Sequence, residues 1–196
     1  VWLQADPEDH MKRVVAQGAL AVYGDIQDRH APSDPGDPTF RMENWPPLSQ
    51  KQLNPVIDVE DLSHVLMAFD NGVLATYQQC HFTPDSWRNY VIIGTNGRIE
   101  NLGEARVALW NTRTGYKAEG DVQFDCSPPG GSHGGADPKI VAEFMRYLRE
   151  GGRTLTSPIA ARNSVAAGCC ATKSLRNGGR PYDVPAVPED LARHFA

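Results

Sequence analysis

The sequence predicts an α+β domain built on a large, mainly antiparallel sheet with helices packed on one face. Three observations lead to this prediction. Strand patterns joined by turn sequences fill residues 61–124, two amphipathic helix patterns follow residue 137, and the strands precede the helices in the chain. Helices that follow a sheet in this order pack together as one layer on it. The opposite face of the sheet is then available for oligomerisation.

The first elements are a strand and a long irregular segment. Residues 13–23 are rich in valine and alanine, which predicts a strand. Residues 24–58 are rich in Pro, Asp, Ser and Asn, a composition that predicts little regular structure. A loop of this length inside a compact domain often serves as a lid or a partner contact.

Three β-hairpins are predicted next, and two of them turn at an Asn-Gly pair. Asn-Gly supplies the two positive-φ positions that a tight hairpin turn requires. The paired segments are residues 62–69 with 73–82, 90–95 with 98–102, and 105–111 with a strand that begins at Tyr116. Consecutive hairpins build an antiparallel sheet.

Two helices with recognisable ends follow the hairpins. In the first, Asp137 is expected to cap the N-terminus and Gly151-Gly152 to end the helix. Ser157-Pro158 opens the second helix, and Asn177-Gly178-Gly179 stops it. One face of the first helix is apolar, with Ile140, Val141, Phe144, Tyr147 and Leu148. The last predicted elements are a short strand at residues 182–184 and a short helix at residues 188–195.

Composition and charge argue against several classes of protein. The formal net charge of -5 gives no electrostatic footprint for nucleic acid or an anionic membrane. No apolar run approaches the roughly 20 residues that span a bilayer. The histidines are scattered without metal-ligand spacing, so we expect no metal site. The cysteines also lack such spacing, and they are predicted to be free thiols of a cytosolic protein: Cys80, Cys126, Cys169 and Cys170.

Four segments, taken in order, resemble one family of oxidoreductases. They are DVEDLSHVLMAFDNGVLATY (58–77), VIIGTNGRIEN (91–101), SHGGADP (132–138) and SLRNGGRPYDVP (174–185). These segments are similar to two hairpins, a glycine-rich helix entry and the closing segment of the Gfo/Idh/MocA family, named for glucose-fructose oxidoreductase, inositol dehydrogenase and rhizopine catabolism. The resemblance covers nearly the whole chain and concerns the C-terminal domain of that family.

The resemblance implies that residues 1–196 form a single C-terminal substrate-binding and oligomerisation domain. The N-terminal Rossmann domain of the family is absent from this sequence. Val1–Pro7 resembles the end of the helix that carries the family's catalytic His, which is therefore expected upstream of Val1. The G-x-G-x-x-G fingerprint and the Glu-Lys-Pro motif are also absent. We expect no catalytic or cofactor-binding residue in this chain, and we expect the fragment alone to be inactive.

The implied parent enzyme is an NAD(P)-dependent dehydrogenase or reductase, with NAD or NADP as its cofactor. It would transfer hydride at a secondary alcohol or ketone of a sugar, an inositol or a related polyol. A cytoplasmic location and a homodimer or tetramer formed through the sheet face complete this expectation. Two alternatives stay open: an NAD-dependent glycosidase of the same fold, and a standalone dimerisation or carbohydrate-binding module without redox activity.

Candidate substrate contacts come from polar and aromatic residues in two settings. His133 lies among glycines, where the backbone can approach a ligand closely. Asp137 is first of all a helix cap, with a substrate contact as the alternative. Three polar residues alternate along one face of a strand, namely Tyr77, Gln79 and His81. We expect them to line a sugar site or a wet subunit interface, and the alternative is an exposed sheet face.

Arg88 completes the set of predicted substrate contacts. With its neighbours Trp87 and Tyr90 it can stack on a sugar and hydrogen-bond to it. Packing is the alternative role for the two aromatic residues.

Overall fold

The computed structural model describes residues 10–25, 57–83, 88–113, 115–127, 130, 132–155 and 157–195. They divide between two compact units, one formed by residues 1–85 and 156–196 (unit 1) and one by residues 86–155 (unit 2). Each unit contains a four-stranded antiparallel sheet, which confirms the predicted α+β class. The strands are thus shared between two sheets, where the sequence predicts one large sheet.

Most element bounds lie within two residues of the predicted ones, but the first strand ends at Ala19, four residues before its predicted end at residue 23. The strands are β1 (Met11–Ala19), β2 (Leu62–Phe69), β3 (Leu74–Cys80), β4 (Val91–Gly94), β5 (Gly97–Leu102), β6 (Arg106–Trp110), β7 (Val122–Asp125) and β8 (Tyr182–Asp183). The helices are α1 (Ala136–Glu150), α2 (Pro158–Arg176) and α3 (Glu189–Phe195), and a 3₁₀ turn spans Ser132–Gly135. Three expectations fall outside the described residues: the helix end at Val1–Pro7, most of the irregular segment (26–56), and Trp87.

The sheet of unit 1 has the strand order β3-β2-β1-β8, with antiparallel pairing throughout. The β2–β3 turn is the predicted Asn-Gly hairpin. Gly72 adopts a φ of 84°, and the Asn71 side chain accepts a hydrogen bond from the backbone N–H of Val73 at 3.0 Å. This turn fixes the register that pairs Val65 with Tyr77.

The core of unit 1 lies between this sheet and α2. A β-bulge between Met11 and Arg13 shifts the alternation of β1, so that Met11 faces Phe69 and Val14 faces Met67 on the same side. Ser157 caps α2 as predicted, since its side chain accepts a hydrogen bond from the backbone N–H of Ala160. The buried apolar residues are Met11, Val14, Ala16, Val65, Met67, Phe69, Ala167, Cys170, Ala171 and Val184.

The face of this sheet opposite to α2 carries exposed apolar side chains. Leu66 alternates with the buried Val65 and Met67 and therefore points away from α2. Leu66 is 58% exposed, and Leu74 on the edge strand is 79% exposed. This surface, called the helix-free face below, is the face that the sequence analysis leaves available for oligomerisation.

Unit 2 contains the other two hairpins in the strand order β4-β5-β6-β7. The last strand begins at Val122, later than the predicted start at Tyr116. The reason is a loop held by Asp121, whose carboxylate accepts hydrogen bonds from the backbone N–H groups of Asn111 and Thr112 and from Lys117 Nζ. Hydrogen bonds from the Lys117 and Thr112 side chains, followed by those from the backbone, hold the pKa of Asp121 well below its usual range.

Helix α1 ends in a loop that one ion pair organises. Arg146 forms a two-point contact with Glu143, at 2.9 and 2.8 Å, and also donates to the carbonyl oxygen of Arg153. Glu143 accepts the backbone N–H of Leu155 at 2.8 Å. The hydrogen bonds from Arg146 and Leu155 lower the pKa of Glu143 to about 2. The predicted stop at Gly151 is confirmed, with a φ of 66°.

Candidate functional site

His133 occupies a left-handed turn directly before α1. Its φ and ψ are 49° and 39°, and Gly134 and Gly135 continue in the same region with φ of 62° and 78°. Among the described residues, His133 is the only one other than glycine with a positive φ. This conformation costs an ordinary L-residue roughly 1–2 kcal/mol. Backbone strain of this kind is found most often at functional sites.

The imidazole of His133 is paired with the carboxylate of Asp137. Nδ1 lies 2.9 Å from Oδ2 and 3.0 Å from Oδ1, and the two side chains are 79% and 50% exposed. An ionised carboxylate only accepts hydrogen bonds, so Nδ1 carries the hydrogen and donates it. In the neutral ring the acceptor lone pair is then on Nε2. The contact with Asp137 therefore fixes the tautomer of the neutral His133 ring, in which Nε2 is the acceptor.

Asp137 therefore has a role different from the one predicted for it. The N-cap of α1 is Gly135, which makes no side-chain cap hydrogen bond, and Asp137 lies inside the first turn. The prediction of a capping Asp137 is wrong because the left-handed turn lets the helix begin earlier, at Ala136. The carboxylate still benefits from the positive end of the helix dipole, and it accepts a hydrogen bond from His133 Nδ1.

A second group of predicted residues forms a hydrogen-bonded row on and just beyond β3. The hydroxyl of Tyr77 donates to Gln79 Oε1 at 2.8 Å, and Gln79 Nε2 lies 2.7 Å from His81 Nε2. Because the Gln79 oxygen accepts from Tyr77, its amide nitrogen donates to His81, whose Nε2 is then the acceptor. The alternation predicted for these three residues is thus matched by direct side-chain contacts.

The row lies on the same side of its sheet as α2. Tyr77 is paired with Val65, a residue of the buried core, and directly paired residues point to the same face. β3 is the edge strand at the end of the sheet away from β8. The row is therefore a polar margin of the helix-covered face, and it does not belong to the helix-free face.

Two residues that sequence reasoning missed support this row from a distance in the chain. The hydroxyl of Tyr23 donates to the backbone carbonyl of His81 at 3.0 Å. Asp61, which is only 3% exposed, accepts the backbone N–H groups of Ala21, Val22 and Tyr23 at 2.7, 2.8 and 2.8 Å. Both contacts join residues about 40 to 60 positions apart, a separation that no local pattern reveals.

Arg88 and Tyr90 lie at the start of unit 2 and are exposed. The Asn101 side chain organises their backbone, since its Nδ2 donates to the Arg88 carbonyl at 2.8 Å and its Oδ1 accepts the Tyr90 N–H at 2.6 Å. Asn101 belongs to the family-like segment 91–101, and its side chain holds the backbone of Arg88 and Tyr90 together. The side chain of Arg88 stays a predicted contact.

Other features of the described residues add no further site. A depression of about 370 Å³ beside β7 contains none of the predicted contacts, and it is lined by Ala105, Arg106, Gln123, Phe124, Asp125 and Ser127. Within the described ranges, no cluster of three His, Cys, Asp or Glu side chains is arranged to hold a metal ion. The same ranges contain no helix with the length and apolar character needed to cross a bilayer. The four cysteines, all described, are free thiols.

Comparison with known proteins places the chain in a family. Residues 9–184 match the family model described as "Oxidoreductase family, C-terminal alpha/beta domain". A search of curated proteins found no match.

Several solved structures share the fold at low sequence identity. Levoglucosan dehydrogenase in complex with NADH and L-sorbose has a TM-score of 0.62 at 17% identity, over 91% of this chain and 46% of that one. An oxidoreductase domain protein from Kribbella flavida has a TM-score of 0.61 at 15% identity, over 90% and 46%. An oxidoreductase from Agrobacterium radiobacter, in complex with NAD+, L-tartaric acid and magnesium, has a TM-score of 0.58 at 19% identity, over 89% and 44%.

The chain spans a little less than half the length of each of these structures. The family model, by contrast, covers most of the chain in one continuous match. The resemblance drawn from the four sequence segments is confirmed: the chain belongs to the Gfo/Idh/MocA oxidoreductase family, as its C-terminal alpha/beta domain.

Proposed function

We propose that the chain is the substrate-side domain of an NAD(P)-dependent dehydrogenase or reductase that acts on a sugar, an inositol or a related polyol. The observation that carries this proposal is the family match over residues 9–184. The similar structures support it, because they include complexes of NADH with L-sorbose or levoglucosan and a complex of NAD+ with L-tartaric acid. The reaction would interconvert a secondary alcohol and a ketone.

In this proposal an N-terminal Rossmann domain of the full-length protein holds the nicotinamide cofactor. The cofactor supplies the hydride chemistry. This chain lacks the glycine-rich strand-to-helix turn that cradles a pyrophosphate. Its own contribution consists of side chains that form hydrogen bonds with the polyol.

We propose one set of substrate contacts in each of the two units. In unit 2, His133 contacts a substrate hydroxyl and Asp137 supports it, and Arg88 is a further contact. In unit 1, the row of Tyr77, Gln79 and His81 offers hydroxyl, amide and imidazole groups, which match the hydroxyls of a neutral polyol. A cytoplasmic location and a homodimer or tetramer are further parts of the proposal.

Nucleotide binding and turnover of the full-length protein test the function. We expect the full-length protein to bind NAD(H) or NADP(H) by calorimetry and to reduce the oxidised cofactor with a member of a panel of sugars, inositols and other polyols. Residues 1–196 alone should show no binding, because they lack the pyrophosphate cradle. Tight stoichiometric binding of the nicotinamide cofactor to residues 1–196 would contradict the assignment of cofactor binding to an N-terminal domain. Cleavage of a nitrophenyl glycoside without net cofactor reduction would favour the glycosidase alternative.

The variant His133→Ala of the full-length enzyme tests the substrate contact. Loss of one hydrogen bond costs about 0.5–1.5 kcal/mol, and more when a buried partner is left unpaired. We therefore expect catalytic efficiency to fall roughly tenfold or more, since about 1.4 kcal/mol corresponds to a factor of ten. The melting temperature should change little, because the imidazole is exposed. Full efficiency in the variant, or its unfolding, would contradict the contact.

A further inference from the structure

The hydrogen bond between His133 and Asp137 suggests a separate role for Asp137. We propose that Asp137 is a positioning residue, which holds His133 in the tautomer with hydrogen on Nδ1 so that Nε2 accepts a hydrogen bond from a substrate hydroxyl. This inference rests on the proposed function, in which His133 contacts the polyol. It adds the direction of the hydrogen bond and the residue that sets it.

The distances determine the direction. Both carboxylate oxygens of Asp137 lie within 3.0 Å of Nδ1. A carboxylate has no hydrogen to donate, so this contact requires Nδ1–H. A neutral imidazole has one N–H, and Nε2 is then an acceptor. Without the carboxylate, either ring nitrogen could carry the hydrogen, and the ring could present a donor or an acceptor to the substrate.

The turn before α1 positions His133, and the first turn of α1 positions Asp137. Asp137 lies in the first turn of α1, a 15-residue helix, so its backbone is fixed by helical hydrogen bonds. His133 lies in the left-handed turn that Gly134 and Gly135 extend to the helix start. The helix dipole favours the negative charge of Asp137 at this end. A strained turn before a rigid helix is suited to aiming one ring at a ligand.

The direction of the hydrogen bond implies a preference among ligands. An acceptor at Nε2 matches a hydroxyl, which can donate. It does not match a carbonyl, a carboxylate or a phosphate oxygen, which can only accept. The pair therefore selects neutral polyols and disfavours sugar phosphates and sugar acids at this position. A ligand that presents only acceptors at this position forms no hydrogen bond with Nε2 and should bind more weakly than a polyol.

The test compares histidine tautomers and kinetics in the full-length enzyme. Ring-¹⁵N-labelled histidine reports by NMR which nitrogen carries the hydrogen, and His133→Asn identifies the signal while tolerating the left-handed backbone. We expect the Nδ1–H tautomer in the wild type and a shift towards Nε2–H in Asp137→Asn, whose amide can donate to Nδ1. Catalytic efficiency should fall about tenfold or more in that variant, and Asp137→Glu should restore part of it.

One control variant and a comparison of the two test variants separate this inference from the proposed function. Asp190→Asn makes the same change in the first turn of α3 and should alter neither the tautomer nor the kinetics. If His133→Asn lowers efficiency while Asp137→Asn leaves tautomer and efficiency unchanged, the positioning role is overturned and the substrate contact stands. If neither variant lowers efficiency, the contact and the positioning role both fail. A wild-type His133 with hydrogen on Nε2 would overturn the positioning role directly.

Discussion

Asp61 is a buried carboxylate whose contacts organise backbone. Its two oxygens accept three consecutive backbone N–H groups, those of residues 21–23, at the end of the chain segment that leaves β1. Burial by itself would raise the pKa of Asp61, but the hydrogen bonds from Ala21, Tyr23 and Val22 outweigh it and lower the pKa. The same contact fixes Tyr23, which reaches the backbone of His81.

The variant Asp61→Ala should be less stable than the wild type. The change leaves three N–H groups without their acceptor, and one such loss costs about 1–3 kcal/mol. We expect the free energy of unfolding, measured with urea at neutral pH, to fall by at least about that amount. Asp61→Asn retains one oxygen and should be intermediate.

The pH dependence of this difference has a definite sign. The folded-state pKa of Asp61 is lowered, so its contribution is complete above the ordinary carboxyl pKa of about 3.9 and is lost as pH falls through the folded pKa. The stability difference between wild type and Asp61→Ala should therefore shrink only below about pH 4. A difference that disappears already at pH 6, or is absent at neutral pH, would contradict the role given to Asp61.

At the scale of elements, α2 is joined to β1 through one buried hydroxyl. Ser174 is fully buried, and its Oγ accepts the backbone N–H of Ala16 at 2.8 Å and donates to the Arg180 carbonyl at 2.6 Å. The helix also contributes Ala167 and Ala171 to the core, small residues that allow a helix to approach a sheet closely. The hydroxyl fixes where along the strand the helix lies.

Ser174→Ala tests this link between helix and sheet. The change leaves the buried N–H of Ala16 and the part-buried carbonyl of Arg180 without a side-chain partner, so we expect a loss of about 1–3 kcal/mol in the free energy of unfolding. Ser164→Ala is the matched control on the same helix, because the Ser164 hydroxyl donates only to the carbonyl of Ala160 one turn earlier. Equal stability of the two variants would contradict the proposed role of Ser174.

The elements also show which features a local pattern can predict. The Asn71-Gly72 hairpin, the Ser157 cap and the glycine stop of α1 depend on residues within four positions of each other, and all three are confirmed. The cap predicted at Asp137 fails because a left-handed turn, allowed by Gly134 and Gly135, moves the helix start. The late start of β7 follows from the loop held by Asp121, whose partners lie up to ten positions away.

At the scale of the whole molecule, the predicted class and family are confirmed, while the arrangement of the strands is not visible in the sequence. Each hairpin can be identified from its turn, but the pairing of β1 with β2 and β8 joins residues that are far apart in the chain. The candidate contacts follow the same rule. Short spacings predicted the row on β3 and the segment around His133, whereas Tyr23 and Asp61 became visible only in three dimensions.

The helix-free face of unit 1 leads to the last prediction, that copies of the full-length protein associate through it. A sheet covered by helices on one side gains stability when a partner covers the other. Leu66 and Leu74 on this face are 58% and 79% exposed, so burial in a dimer would remove both from water. The double variant Leu66→Glu, Leu74→Glu should sediment as a smaller species than the wild type at the same concentration. Val165→Glu, at an apolar position on α2 that is 66% exposed, should leave the assembly unchanged. A wild type that sediments as a monomer at high concentration, or variants that all behave alike, would contradict association through this face.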